Sequence, residues 1–391
     1  MKKVVIAAAV IVIVTIAGIV TLIRQVSSDP TVAYKAGDYE TALAGFRTAA
    51  DKGDPVAQYN LAAMYRDGDG TLRDDGQAFK WFLAAAKQGV VDAQNEVGTL
   101  FEQGRGTALD LAQAAVWYRK AAEQGDSNGQ YNLGRLTEDG KGVAQNLNAA
   151  VAWYRKAAEQ GLASAQIALG SCLEHGRGIA ANAAEAFAWY QKAALQGNAN
   201  GCYNVGISYA YGLGVEVDPR QAVEWYRKAA EQDYADAQNN LGVCYETGAG
   251  VAPDIATAAD WYRKAAENGQ RNAQYNLAQL YEDGRGVAED LETAMQWYRK
   301  AAESGDADAC YRLGEAYEQG GLVAVNYAKA MHWYGLAAEQ DHADALHAIG
   351  SLYDNGRGVA QNTNSAVDWY RKAAENGYAG SKALRRPSAA H

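Results

Sequence analysis

No run of lysine or arginine stands out in this chain, and its formal net charge is −10. A nucleic-acid binder carries a basic stripe on one face or helix, so nucleic acid is excluded as a partner class. An acidic balance promotes solubility and disfavours anionic partners. Cysteines are few: Cys172, Cys202, Cys244 and Cys310, without C-x-x-C spacing or a nearby histidine pair. Zinc is not read from such a set. Of five histidines, His175 is isolated, while His332, His342 and His347 fall within sixteen residues. His342 and His347 are five apart, which does not align them on one helical face, so no metal site is read. No serine or cysteine is followed by a recognisable base and orienting group. The reading is therefore a protein with no catalytic residues, no cofactor and no metal. Proline is also scarce, five against 41 glycines, so glycine punctuates many turns between helices.

One long apolar run is present. Val4–Ile23, VVIAAAVIVIVTIAGIVTLI, carries no charge. Twenty helical residues reach about 30 Å, the thickness of a bilayer's hydrocarbon core. A secretory signal's apolar region is shorter, about 7–15 residues, and precedes a small-x-small cleavage site. Val26-Ser27-Ser28 is a poor one. The reading is an uncleaved transmembrane anchor over 1–24 and a short tether over 25–30. Lys2, Lys3 and the terminal amine outweigh Arg24, so the N-terminus stays cytoplasmic and the remainder is exported. The expected place is the inner or plasma membrane, single-pass, with the exported part periplasmic in a Gram-negative cell.

The tryptophans reveal the organisation. They are Trp81, Trp117, Trp153, Trp189, Trp225, Trp261, Trp297, Trp333 and Trp369, each 36 residues after the last. A fixed period between 20 and 50 residues signals a repeat array. Nine units start at Asp54, Val90, Asp126, Leu162, Asn198, Tyr234, Gln270, Asp306 and His342. In the unit from Tyr234, Ala237, Leu241 and Tyr245 form an i, i+4, i+8 stripe of a first helix. Gly248 and Gly250 end it. Val251 is expected to tuck under the hairpin. Asp254 is the expected N-cap of a second helix, which carries Ala258, Trp261, Tyr262 and Ala265 and closes at Gly269. Alanine recurs in all nine units at the Ala258 and Ala265 positions. The small residues let helices approach closely, with the aromatics, the tryptophans foremost, as wedges between hairpins. One hairpin cannot bury its apolar faces alone; stacked neighbours can.

QYNLGRLTEDGKGV, Gln130 to Val143, followed by AVAWYRKAAEQG, resembles the Sel1-like repeat, a relative of the tetratricopeptide repeat. The resemblance covers 54–377. It implies an all-α, right-handed superhelical solenoid of antiparallel helix pairs. Residues 31–53 look like a shortened tetratricopeptide cap, with Gly45 at the tryptophan place and Phe46 at the tyrosine place. Residues 378–391 are expected to form a C-terminal capping helix and tail. The unit at Asp306 is irregular: Leu322 replaces a loop glycine, and Gly335-Leu336 stand where Arg-Lys is usual. This hairpin is expected to pack differently.

In tetratricopeptide relatives the first helix lines an inner groove. Carried over by the shared YNLG motif, the concave positions here include Tyr131, Tyr203, Tyr275 and Tyr311, with Asn132, Asn204 and Asn276. Farther along come Glu102, Glu138, Glu174, Glu246, Glu282, Glu318 and Asp354. Tyrosine gives large contact area at low entropy cost, amides can hold a peptide backbone, and carboxylates favour basic partners. Structural roles are the competing account, since residues shared by all repeats often serve the fold. The Arg-Lys pairs sit near helix C-termini, where cations are favoured.

The GRG loops resemble phosphate cradles only superficially, because a phosphate loop follows a strand; helix-ending glycines explain them. Cys172 and Cys202 are six positions apart in register, about 9 Å along a helix axis, which is too long for a disulfide, so free thiols are expected. The functional expectation is a membrane-tethered adaptor that binds a protein or peptide. The alternatives are a secreted host-interaction effector and, third, a hydrolase of cell-wall or β-lactam-like substrates.

Overall fold

The computed structural model describes residues 29–320 and 323–378. The anchor over 1–24, most of the tether, Leu322 and all of the tail beyond Tyr378 lie outside the described residues. Among the described residues, no helix is long and apolar enough to cross a membrane.

Twenty helices and no strand occur among the described residues. The chain divides into two compact units, 1–193 and 194–391. In the first unit, Pro30–Lys35 and Tyr39–Asp51 precede the pairs Pro55–Asp67/Asp75–Lys87, Val91–Gln103/Leu111–Glu123 and Ser127–Asp139/Leu147–Glu159. Ala163–His175 and the start of Ala183–Leu195 complete it. The second unit holds Ala199–Tyr211/Pro219–Ala230, Ala235–Thr247/Ile255–Glu267, Arg271–Asp283/Leu291–Glu303, Ala307–Gln319/Tyr327–Ala338 and Ala343–Asn355/Thr363–Glu375. The expected class, an all-helical repeat solenoid, is what forms.

Local chemistry sets each boundary. A first helix ends where glycine enters the left-handed region, as at Gly140 (φ 70°) and Gly248 (φ 78°). A second helix starts where an Asp or Asn side chain accepts from the exposed first-turn amides: Asp110 from Gln113 N, Asn146 from Ala149 N, Asp254 from Ala256 N and Thr257 N. The second loop glycine has a separate duty. A Cβ on Gly250 would lie 2.1 Å from the Pro219 carbonyl oxygen, and one on Gly142 2.2 Å from that of Leu111. Where this glycine is present and described, as at Gly106, Gly142, Gly178, Gly250, Gly286 and Gly358, the loop therefore rests on the second helix of the preceding pair, and a side chain there would clash with it.

Packing corrects the wedge assignment. Most tryptophans are only partly buried; Trp117 and Trp189 alone are buried. The wedge is the next residue. Tyr118, Tyr154, Tyr226, Tyr262, Tyr298 and Tyr334 are each no more than 2% exposed. Consecutive helical residues point about 100° apart, so only one of the two faces the core. Five of these six rings close on a first-helix glycine, the exception being Tyr298, whose repeat has Ala278 there: a Cβ on Gly98, Gly206 or Gly242 would come within 2.6 Å of the Tyr118, Tyr226 or Tyr262 ring. Seven of the nine tryptophans instead carry the lysine three residues on, as with Lys120 Nζ 3.8 Å from the Trp117 ring centre and Lys228 Nζ 3.7 Å from that of Trp225. The lysines are thus cation–π partners as well as helix-end cations.

Before the first pair, Phe46 is buried and a Cβ on Gly45 would meet Pro30 at 2.8 Å. In the Asp306 unit, Gly320 ends the first helix at φ 78°, ψ −165°, unlike its left-handed equivalents. His332, not a lysine, lies against Trp333.

Candidate functional site

The first-helix tyrosines are half-buried, each braced against a buried tyrosine of its own pair. Ring centres are 5.8 Å apart for Tyr131–Tyr154, 6.0 Å for Tyr203–Tyr226, 5.6 Å for Tyr275–Tyr298 and 5.7 Å for Tyr311–Tyr334. These are tilted contacts, which fix ring position. Burial pushes the Tyr203 phenol up to about 12. Hydroxyl and amide neighbours then differ by repeat. The Tyr311 hydroxyl donates to Glu315 at 2.9 Å, and Gln279 donates to the Tyr275 oxygen at 3.2 Å. Asn132 donates to Asn95 at 3.1 Å and Asn276 to Asn239 at 3.2 Å, each joining its helix to the preceding first helix. Asn204 donates to Asn200 on its own helix.

The carboxylates are engaged on both sides. Tyr118 donates to Glu102, Tyr154 to Glu138, Tyr190 to Glu174, Tyr262 to Glu246, Tyr298 to Glu282 and Tyr334 to Glu318, at 2.5–2.8 Å. Most also meet an arginine from the following pair: Arg135 on Glu102 at 2.5 Å, Arg177 on Glu138 at 3.4 Å, Arg285 on Glu246 at 3.1 Å, Arg312 on Glu282 at 2.9 Å and Arg357 on Glu318 at 3.6 Å. A phenol of its own pair and a guanidinium from the next make each of these five carboxylates a clasp between pairs. Burial, first, and then the carboxylate hold the Tyr154, Tyr190, Tyr262 and Tyr298 phenols above their ordinary range. Asp354, in the last repeat, is exposed.

A second inter-repeat network was missed in the sequence. Buried Gln94 donates to the Ala86 carbonyl of the preceding pair and accepts from Gln124 of its own. Gln130 and Gln238 do the same, through Ala122 and Gln160, and through Ala230 and Asn268. The signal was present: glutamine recurs at this position in Gln58, Gln94, Gln130, Gln166, Gln238 and Gln274. Cys202 and Cys310 take its place, with sulfur 3.7 Å from the Ala194 carbonyl and 3.9 Å from that of Ala302. All four cysteines are buried thiols, and burial raises Cys244 and Cys310 to about 11. The three histidines go to separate duties. His332 packs on Trp333, His342 stacks on Tyr311 with Nε2 3.0 Å from Asp308, and His347 stacks on Tyr378.

These features define an all-helical repeat protein whose polar side chains are spent chiefly on joining one pair to the next. The chain belongs to the Sel1 repeat family, which matches at 55–90, 91–126, 127–162, 163–198, 199–234, 235–270, 271–306, 307–342 and 343–378. It is similar to c5321, described as a protective antigen of uropathogenic Escherichia coli with this fold. Identity is 34% over 92% of this chain and 80% of that one, with a TM-score of 0.72. It is also similar to a Sel1 repeat protein of Oxalobacter formigenes, at 34% identity, 78% and 89% coverage and a TM-score of 0.62. A curated relative, an exopolysaccharide production negative regulator of Rhizobium leguminosarum bv. viciae, is 50% identical over 48 residues. That match spans 12% of this chain and 18% of the relative.

Proposed function

We propose that this protein is a membrane-tethered scaffold that holds a protein or peptide on the face of its first helices, taken as concave from the family resemblance. The tether is Val4–Ile23, with the repeats exported. The observation that carries the binding role is the bracing of the first-helix tyrosines within each unit. Tyr131, Tyr203, Tyr275 and Tyr311 are partly exposed yet fixed in place by the tyrosines behind them. A pre-positioned aromatic loses little entropy when a partner covers it. The carboxylates contribute as braces for these tyrosines. From the Rhizobium relative the proposal takes no regulatory role, because the shared 48 residues are a small part of that protein.

The test is crosslinking pulldown of the full chain from its own cells. Tyr203→Ala with Tyr275→Ala should release the captured protein, while Tyr203→Phe with Tyr275→Phe should retain it. Undiminished capture by the alanine variant sinks the binding face. Fractionation tests the tether: the chain should follow the membrane and resist salt extraction. Recovery from the medium instead supports a released effector.

A further inference from the structure

Two neighbouring repeats break the charge pattern of the array. From 198 to 218 and from 234 to 254, the charged residues are Glu216, Asp218, Asp236, Glu246 and Asp254, all acidic. The same span of each of the other seven repeats contains at least one arginine. Among the nine first helices, Ala199–Tyr211 alone has no charged side chain. The clasp between these two repeats is missing at both ends. Where the next repeat has Glu246 bound to Arg285 at 3.1 Å, Ala210 and Ala249 stand. The Tyr226 hydroxyl, without a carboxylate, meets Asn240.

Apolar side chains fill the place of the charges. Tyr211 is 70% exposed, Val217 59% and Val243 37%, and Ile207 and Leu213 of the same two repeats are partly exposed. Ile207 and Tyr211 share a helical face at i, i+4. The position of Ile207 and Val243 is polar in most other repeats: Thr99, Arg135, Ser171, Gln279, Glu315 and Ser351. Scattered exposed apolar residues need no explanation, but their concentration in two neighbouring repeats that lack the ion pair of the others marks an interaction surface.

We infer that the first helices and loops of these two repeats are the docking site for a partner-protein segment whose apolar side chains are flanked by lysine or arginine. The occupant's charge follows from complementarity: every charge in the two spans is negative, and basic flanks are attracted while acidic ones are repelled. This rests on the scaffold reading above and locates the partner within it.

The test places the photo-crosslinking residue benzoylphenylalanine at position 211 of the full chain in its own cells. It is also placed at 275, and at 283 as the equivalent of 211 two repeats on. The adduct at 211 should map by mass spectrometry to an apolar segment bearing lysine or arginine. Ala210→Glu with Ala249→Arg writes back the clasp of the other repeats. It should melt no lower than the parent and reduce the adduct by about tenfold or more, the scale of losing a buried apolar contact. An adduct on an acidic segment, a lipid or a second copy of this chain overturns the inference. So does an unchanged yield in the restored-clasp variant. A product at 275 but none at 211 ends the inference and leaves the scaffold reading standing; none at either position ends both.

Discussion

Tyr262 is 1% exposed, lies on Gly242 and donates to Glu246, whereas its neighbour Trp261 is partly exposed under Lys264. Burial therefore ranks the pair opposite to size. Tyr262→Ala should cost about 3–5 kcal/mol, as for other buried aromatic deletions. Trp261→Ala should cost about 1–2 kcal/mol, from partial burial and one cation–π contact. Urea unfolding midpoints measure both, and a larger loss at Trp261 would contradict the packing. The same phenols set a pH limit. Tyr154, Tyr190, Tyr262, Tyr298 and Tyr334 are held above the ordinary tyrosine value. Their neutral form is favoured in the fold, so their contribution is complete below about pH 10. Above that pH the unfolded chain ionises first and stability falls. Denaturant titrations from neutral to strongly alkaline pH should show it, with phenolate absorbance rising only as the chain unfolds.

At the scale of the helix pair, glycines that look alike in sequence carry different loads. Gly250 (φ 76°) has the Pro219 carbonyl against it, while Gly269 (φ 81°) has nothing within 4 Å. Gly269→Ala should cost about 1 kcal/mol, the left-handed penalty alone. Gly250→Ala should exceed about 2 kcal/mol, since overpacking adds to that penalty. Equal melting temperatures for the two variants would show that the loop does not rest on the preceding pair. Gln238 is fully buried between Ala230 and Asn268. Gln238→Leu should lose about 1–3 kcal/mol by leaving a buried carbonyl unmatched, and chemical denaturation measures it. The helices, their caps and the loop glycines were legible because each depends on neighbours within a few residues. The glutamine network was not. A glutamine in an amphipathic stripe reads as surface until the preceding pair supplies its carbonyl.

At the scale of the whole molecule, a pair within a unit leans on its neighbours, so a defect should matter according to how many neighbours it has. Tyr370, in the last repeat, is partly exposed, unlike Tyr262. Tyr370→Ala should lower the main unfolding transition less than Tyr262→Ala, and hydrogen exchange should place its effect near the C-terminal end. Equal global losses would contradict a nearest-neighbour array.

The sequence by itself determined the period, the nine pairs, their caps and the apolar span at the N-terminus. All of these are written in local spacing and in the backbone preferences of glycine, aspartate and asparagine. Only the tertiary structure decided that tyrosine rather than tryptophan is the wedge. It also showed that the acidic ladder is a set of clasps, and that two repeats in the second unit expose apolar side chains where the clasp is absent. Those outcomes depend on which atoms of the next pair arrive opposite a side chain. A linear pattern repeats the residue without showing what it meets.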